Sequence, residues 1–238
     1  MTRLAKLIAC LSNYAYRNAL GKHRVAAGIE HEVALWPLAC RTIVDVGANR
    51  GQFALVARQC FPDASVFSFE PLSRPATRFR AVFADDPRVI LHEAAIGPKP
   101  GKSTIHISRR DDSSSLLPIT ATQNAFFPGT AEASTTTVSV GPLRDFLTED
   151  QIASPALLKL DVQGFELQAL QGCESLLHLF AHVYVECSFV ELYAGQALAD
   201  EVIAWLRNRG FKLRALYNPA QDKGGRVVQA DFLFARES

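Results

Sequence analysis

The sequence predicts an α/β fold built on a mostly parallel, doubly wound sheet, with an antiparallel C-terminal strand, an inserted β hairpin and loop, and an N-terminal helical cap. Three observations predict it. From residue 42 onward, short β-branched runs alternate with helical stretches, the order that buries a parallel sheet between helices. The first run, Thr42-Ile43-Val44-Asp45-Val46, empties directly into a glycine loop, Gly47-Ala48-Asn49-Arg50-Gly51, as in a Rossmann-like sheet. The last two runs, Phe211 to Tyr217 and Val227 to Ala235, have no helix between them and turn at Gly224-Gly225, which makes them antiparallel.

Residues 2–35 read as helix, because Leu4, Leu7, Ile8 and Leu11 recur at helical spacing. Arg3, Lys6, Arg17, Lys22 and Arg24 all precede the first acid, Glu30. The plain reading is a cap helix with a solvated basic face. The sharper one is peripheral contact with an anionic membrane surface or a lipid-linked substrate. After the glycine loop, Gln52 to Cys60 is helical, Ser65 to Glu70 a second strand, Arg74 to Phe83 a helix, and Val89 to Ile96 a third strand. Ser103 to Ser108 and Thr135 to Val140 then read as an antiparallel pair around a polar loop, residues 109–134, long enough to act as a lid. The alternation resumes with strand Leu157 to Val162, helix Phe165 to Leu177, strand Val183 to Cys187 and a helix from Ala199 to Arg209 that Gly210 ends. The organisation expected is a cap over 1–40 and one domain over 41–238.

Composition narrows the function classes. The chain has 238 residues and a formal net charge of +1, so no global field favours nucleic acid. Its five cysteines are scattered without a Cys-x-x-Cys pair, which argues against a zinc ribbon or disulfide scaffold and fits a reducing cytosol. No run reaches the roughly 18 apolar residues of a membrane span. The expected location is cytoplasmic, with membrane association through the N-terminal helix as the alternative.

The glycine loop carries the chemistry. Gly47 and Gly51 let a ligand approach the backbone, and the helix that follows would aim its amides at it. Asp45 ends the strand, where a carboxylate can hold an amino group, directly or through water. Glu70 closes the second strand twenty-five residues later, where a carboxylate accepts both ribose hydroxyls. A dinucleotide loop needs Gly-x-Gly-x-x-Gly, but Asn49 stands where the middle glycine would be. S-adenosylmethionine, which carries an ammonium and a sulfonium and no pyrophosphate, suits this pattern better than NAD.

Asp45-Val46-Gly47-Ala48-Asn49-Arg50-Gly51, Phe69-Glu70-Pro71, Ser113-Ser114-Ser115-Leu116, Lys159 to Glu166 and Val185-Glu186 occur in order and at spacing that resembles the FkbM family of S-adenosylmethionine-dependent methyltransferases. Gln229-Ala230-Asp231-x-Leu233-Phe234 is similar to the ending of one branch of it. The likeness covers residues 42–236. It implies a class I methyltransferase fold and methyl transfer to oxygen, on a small molecule, a sugar or glycolipid, or a polyketide-type acceptor, and it leaves the acceptor itself open.

The cofactor-binding residues expected are Asp45, Gly47, Ala48, Asn49, Gly51, Glu70, Pro71, Glu93, Ala94, Ser114, Ser115 and Asp161. The catalytic candidates are Asp161, Glu166 and Glu186. Asp161 ends the fourth strand and faces the crevice as a base or as an orienter of the acceptor. Glu166 either caps the following helix or serves the site, and Glu186 ends the fifth strand over the same crevice. No metal is expected, although those three carboxylates suit magnesium or calcium and His178 and His182 have zinc spacing without an evident third ligand. His92 and His106 are alternative bases that read more simply as structural. A nicotinamide-dependent oxidoreductase and a non-catalytic cofactor-binding module are the competing functions. The missing middle glycine and the lack of a Tyr-x-x-x-Lys pair count against the first.

Overall fold

A computed structural model of the chain describes Ile8 and residues 11–236. The basic residues Arg3 and Lys6 and the start of the expected cap helix lie outside the described residues.

The central sheet has seven strands: β1 (Thr42–Val46), β2 (Ser65–Phe69), β3 (Val89–His92), β7 (Ala156–Leu160), β8 (His182–Ser188), β9 (Phe211–Gln221) and β10 (Val227–Arg236). Their order is β3-β2-β1-β7-β8-β10-β9. The five strands from β3 to β8 run parallel, and β10 is antiparallel to both β8 and β9. A separate three-stranded sheet holds β4 (Ala95–Ile96), β5 (Gly101–Ser108) and β6 (Glu132–Gly141) in the order β4-β6-β5.

Side chains alternate across the buried strands and define two cores. Val44, Val46, Leu158, Leu160, Val183 and Val185 face α6 (Glu166–Cys173) and α7 (Ala199–Arg207). Ile43, Leu157 and Tyr184 face α3 (Gln52–Cys60), Phe79 of α4 (Ser73–Val82) and the N-terminal segment. That segment shares the second core through Tyr16, Val25, Ala27, Ile29 and Leu35.

Three local expectations change. Residues 11–35 are not one helix but α1 (Tyr14–Asn18), a π turn over Ala19–His23, extended chain, a 3-10 turn at Ile29–His31 and α2 (Glu32–Leu35). Arg24 takes a left-handed φ of 57° there, and Val25, Ala27 and Ile29 bury alternate positions, a strand-like rhythm that a helix would scatter around its axis. The strand expected from Val89 to Ile96 divides, because β2 has no partner beyond Phe69↔His92 while Ala95 and Ile96 pair with Val140 and Gly141. The inserted loop also carries a helix, α5 (Ala121–Phe126), whose Thr120 cap accepts from the Gln123 amide. Thr120-x-x-Gln123 is a capping-box spacing that announces it.

Candidate active site

A cavity of about 500 Å³ opens over the carboxyl ends of β1, β2 and β7. That size suits a small ligand, and the place is where the strand order of the sheet reverses. Gly47 to Arg50, Glu70-Pro71-Leu72, the stretch 94–96, Arg110 to Asp112, Ser114 to Leu116 and Asp161 to Gln163 wall one part. The N-terminal stretch from Arg24 to His31 walls the other.

Gly47 and Gly51 have left-handed φ angles of 83° and 91°. A Cβ on Gly47 would lie 1.9 Å from the Asp161 carbonyl oxygen, so this glycine lets the loop pass against the end of β7. A Cβ on Gly51 would meet the Phe83 ring at 2.5 Å. Gly51 therefore seats α3 on α4 and is absent from the cavity wall. The amides of the loop itself are turned to acceptors within the protein. Those of Gly47 and Ala48 donate to the Phe69 carbonyl, that of Asn49 to Glu70 Oε2, that of Arg50 to Gln52 Oε1 and that of Gly51 to the Ala48 carbonyl. The loop is tied to β2 and offers no five-amide cradle for an anion.

Glu70 lines the cavity at 6% exposure, with Oε2 accepting from Asn49 at 3.0 Å and Oε1 from Leu72 at 2.8 Å. Burial pushes its carboxyl up to about 7. Each oxygen keeps a lone pair for a ligand hydroxyl. Pro71, Ala94, Ala48 and Asn49 line the same wall. Glu93 does not: the bend after β3 turns it outward, where it pairs with Arg80 and accepts from Ser73 Oγ at 3.4 Å.

Asp45 is also off the wall, fully buried beneath it. The parallel register puts Ser68, Asp45, Lys159 and Tyr184 in one row across four strands. The Lys159 ammonium sits 3.0 Å from Asp45 Oδ1 and donates to the Gly47 carbonyl at 3.3 Å. Burial works against that ammonium, but Asp45 and Asp161 outweigh it and hold it above the usual lysine value. Asp45 is thus the counterion of a buried lysine and not part of the cavity wall. Nothing in the motif that contains Lys159 marks it as the partner of Asp45. A lone lysine in an apolar strand signals a buried partner, but which partner depends on register.

Asp161 faces the cavity with its side chain 35% exposed, 3.9 Å from Lys159. Gln163, in a left-handed conformation at φ 56°, donates to Asp161 at 2.6 Å and to Glu186 at 3.1 Å and accepts from the Tyr193 hydroxyl at 2.7 Å. Gln163 and Tyr193 are the site neighbours that the sequence did not single out. Two catalytic candidates lie off the cavity wall. Glu166 accepts from the Val162 and Gly164 amides and so fixes the turn that carries Gln163. Burial pushes Glu166 up to about 7. Glu186 accepts from Gln163 and Gln229, and burial raises it as well. Among the described residues no group of three acid, histidine or cysteine side chains is placed to hold a cation, these three carboxylates included.

The serine run forms the cavity wall across from the loop. Ser114 accepts from the Ser108 amide, Ser115 pairs backbone to backbone with His106, and its hydroxyl accepts from Leu117. Arg50 on the glycine loop ion-pairs with Asp111 on the insertion and so ties the two walls together. His106 is held by Glu132, and His92 stacks on Phe69 at 4.9 Å. Neither lines the cavity, whereas His31 does.

Residues 45–213 match the Methyltransferase FkbM domain family. The chain is 31% identical over 160 residues to the 2-O-methyltransferase NoeI of Sinorhizobium fredii, covering 65% of this chain and 66% of that one, just under two thirds of its length. It is 28% identical over 214 residues to the 31-O-demethyl-FK506 methyltransferase FkbM of Streptomyces tacrolimicus, covering 80% of this chain and 79% of that one. The fold is similar to that of a Methyltransferase FkbM from Methylobacillus flagellatus at a TM-score of 0.54 and 13% identity, over 98% of this chain and 58% of that one.

Proposed function

The chain belongs to the methyltransferase FkbM family, and from that membership we propose that it binds S-adenosylmethionine and transfers the methyl group to a hydroxyl of a sugar, glycolipid or polyketide-type acceptor. One observation carries the choice of donor. The amides from Gly47 to Gly51 are spent within the protein, while Glu70 and Asp161 present carboxylate oxygens to the cavity. The loop amides themselves offer a pyrophosphate nothing to bind, whereas a cationic nucleoside finds acceptors for its ribose and its ammonium at Glu70 and Asp161.

The donor supplies a methyl carbon already activated by its sulfonium, so the protein mainly aligns and desolvates. In this reading Glu70 accepts from the ribose. Asp161 orients the ammonium or the acceptor, its own position set by Gln163 and Lys159. Ser114 and Leu116 close the wall opposite. An oxygen acceptor is supported by two relatives whose names specify O-methylation. Exposed Tyr14, with Arg17 over its ring, and exposed Val33 and Trp36 on the same N-terminal segment support peripheral contact with an anionic bilayer that carries such an acceptor, which co-sedimentation with phosphatidylglycerol vesicles tests.

Isothermal calorimetry with S-adenosylhomocysteine and with NAD tests the donor. Heat with NAD and none with S-adenosylhomocysteine would reverse the assignment. Mass spectrometry of metabolites from cells with and without the gene, searched for pairs separated by one CH₂, finds the acceptor.

A further inference from the structure

We propose that His31, backed by Asp231, is the general base that takes the proton of the acceptor hydroxyl. This rests on the methyl-transfer reading above and adds to it the residue that makes the oxygen nucleophilic.

The observations are geometric. His31 sits on the N-terminal wall of the cavity with its side chain 17% exposed. Its Nδ1 lies 3.0 Å from the Tyr184 hydroxyl and 3.4 Å from Asp231 Oδ2. The Tyr184 hydroxyl and the Asn218 amide both donate to the same Asp231 oxygen, at 2.9 and 2.8 Å. Burial alone would push Asp231 up, but the bond to His31 and the charge His31 carries once protonated, with the bonds from Asn218 and Tyr184, outweigh it and hold the carboxyl below its usual value, which favours an imidazolium beside it. Because Tyr184 spends its proton on Asp231, Nδ1 of His31 is the donor toward that pair of oxygens. The neutral ring then carries its lone pair on Nε2, the nitrogen turned away from Asp231, as in a carboxylate–histidine base. The ring is held edge-on by Phe53 and Tyr184, with centroids at 5.4 and 5.6 Å. Gly28 leaves it room: a Cβ there would lie 3.0 Å from His31 Cδ2.

The rivals are placed for other tasks. Asp161 is bonded to Gln163, neighbours the Lys159 ammonium and is assigned above to orienting the ligand; Glu166 and Glu186 accept from amides and lie off the cavity wall, as do His92 and His106. In the step, the acceptor O–H proton passes to His31 Nε2. The acceptor oxygen forms its bond to the methyl carbon as the carbon–sulfur bond breaks, and that electron pair remains on sulfur. The products are the methyl ether, a neutral thioether and an imidazolium that Asp231 stabilises.

The test uses the full chain and three readouts. S-adenosylhomocysteine calorimetry on wild type, H31Q and D231N checks folding and the donor site, with dissociation constants expected within about twofold of each other. Imidazole ¹⁵N spectra of the wild type should show a protonated Nδ1 and a lone-pair Nε2 on His31, and D231N should weaken that preference. Diethyl pyrocarbonate, mapped by mass spectrometry, should carbethoxylate His31 in the open cavity. With tritiated S-adenosylmethionine and a total cell extract, polar and organic phases combined, as acceptor source, H31Q should lose about 100-fold or more of the transfer rate, the range of general-base catalysis, and D231N less. A purely structural His31 would weaken S-adenosylhomocysteine binding or thermal stability and leave the rate per folded molecule unchanged. Normal S-adenosylhomocysteine binding with an undiminished H31Q rate, or a protonated Nε2 in the spectra, overturns the base alone. Failure of the wild type to bind S-adenosylhomocysteine overturns the donor assignment on which it stands.

Discussion

The two ends of the cavity are built differently. At one end, the glycine loop, Glu70 and Asp161 sit on the tips of adjacent parallel strands, all within the residues that match the family. At the other, His31 sits on an irregular segment before that match and Asp231 on a strand after it. Main-chain register places the first set. Side-chain hydrogen bonds across long sequence separations place the second. If the strand tips hold the donor as proposed, the contrast separates a part built by register, rigid and reusable, from flanks that are free to change.

The largest expected effect is at the strand tips. Gly47→Ala would force a left-handed alanine whose Cβ lies 1.9 Å from the Asp161 carbonyl. A loss of about 4 kcal/mol or more is expected, at the upper end for single substitutions, together with loss of S-adenosylhomocysteine binding. Thermal melting and calorimetry measure both. A folded, binding-competent variant would show that the loop is softer than its register implies.

Next comes the buried row beneath the loop. Lys159→Met strands Asp45 without its cation, which costs about 3–5 kcal/mol. Combining it with Asp45→Asn should return part of that loss, since the two residues are in contact. A urea-melt double-mutant cycle decides, and strict additivity would mean that the pair is not coupled.

Legibility followed the same division. The alternation from residue 42, the loop after β1 and Glu70 at the end of β2 were readable because each is local: a run of side chains, a glycine spacing, a strand end. The partner of Asp45 was not, because Lys159 is more than a hundred residues away and only the parallel register makes them neighbours. Glu93 was misplaced because a run of apolar residues does not reveal where a strand leaves one sheet for another. His31 escaped notice because Leu4 to Leu11 set a helical rhythm that was carried too far. The alternation of Val25, Ala27 and Ile29 was the signal against it.

Glu70 gives a pH-dependent comparison. The folded protein holds its proton up to about 7, against an ordinary value of 4.5. Between those values the folded state binds more protons than the unfolded one, so this carboxyl's contribution to stability is full below the window and is lost as pH rises through it. Glu166 is raised to about 7 as well and adds the same slope. Glu70→Gln should therefore flatten part of the pH dependence of melting, and Glu166→Gln another part. In the proposed site ribose hydroxyls would donate to the deprotonated carboxylate, so S-adenosylhomocysteine affinity should rise with pH across the same window. Above it, Glu70→Gln should lose about 1–3 kcal/mol of binding. Affinity that is flat with pH would remove Glu70 from the ribose site.

The smallest effect belongs to the ion pair that joins the glycine loop to the insertion. Arg50 and Asp111 keep 27% and 17% of their side-chain surface, so water screens them and their coupling should be about 0.5–1 kcal/mol. The pair spans the cavity wall, so its loss should appear in kinetics before stability. Asp111→Asn should raise the S-adenosylhomocysteine dissociation rate by up to about fivefold with little change in melting temperature. Arg50→Ala in the same background should add nothing more, because the partner is already gone. If each substitution instead speeds release independently, the insertion is held closed by its serine run and by Tyr193, whose hydroxyl lies 3.2 Å from the Ser113 carbonyl. The lid would then belong with the flanking, side-chain-bonded part of the cavity, although its residues fall inside the family match.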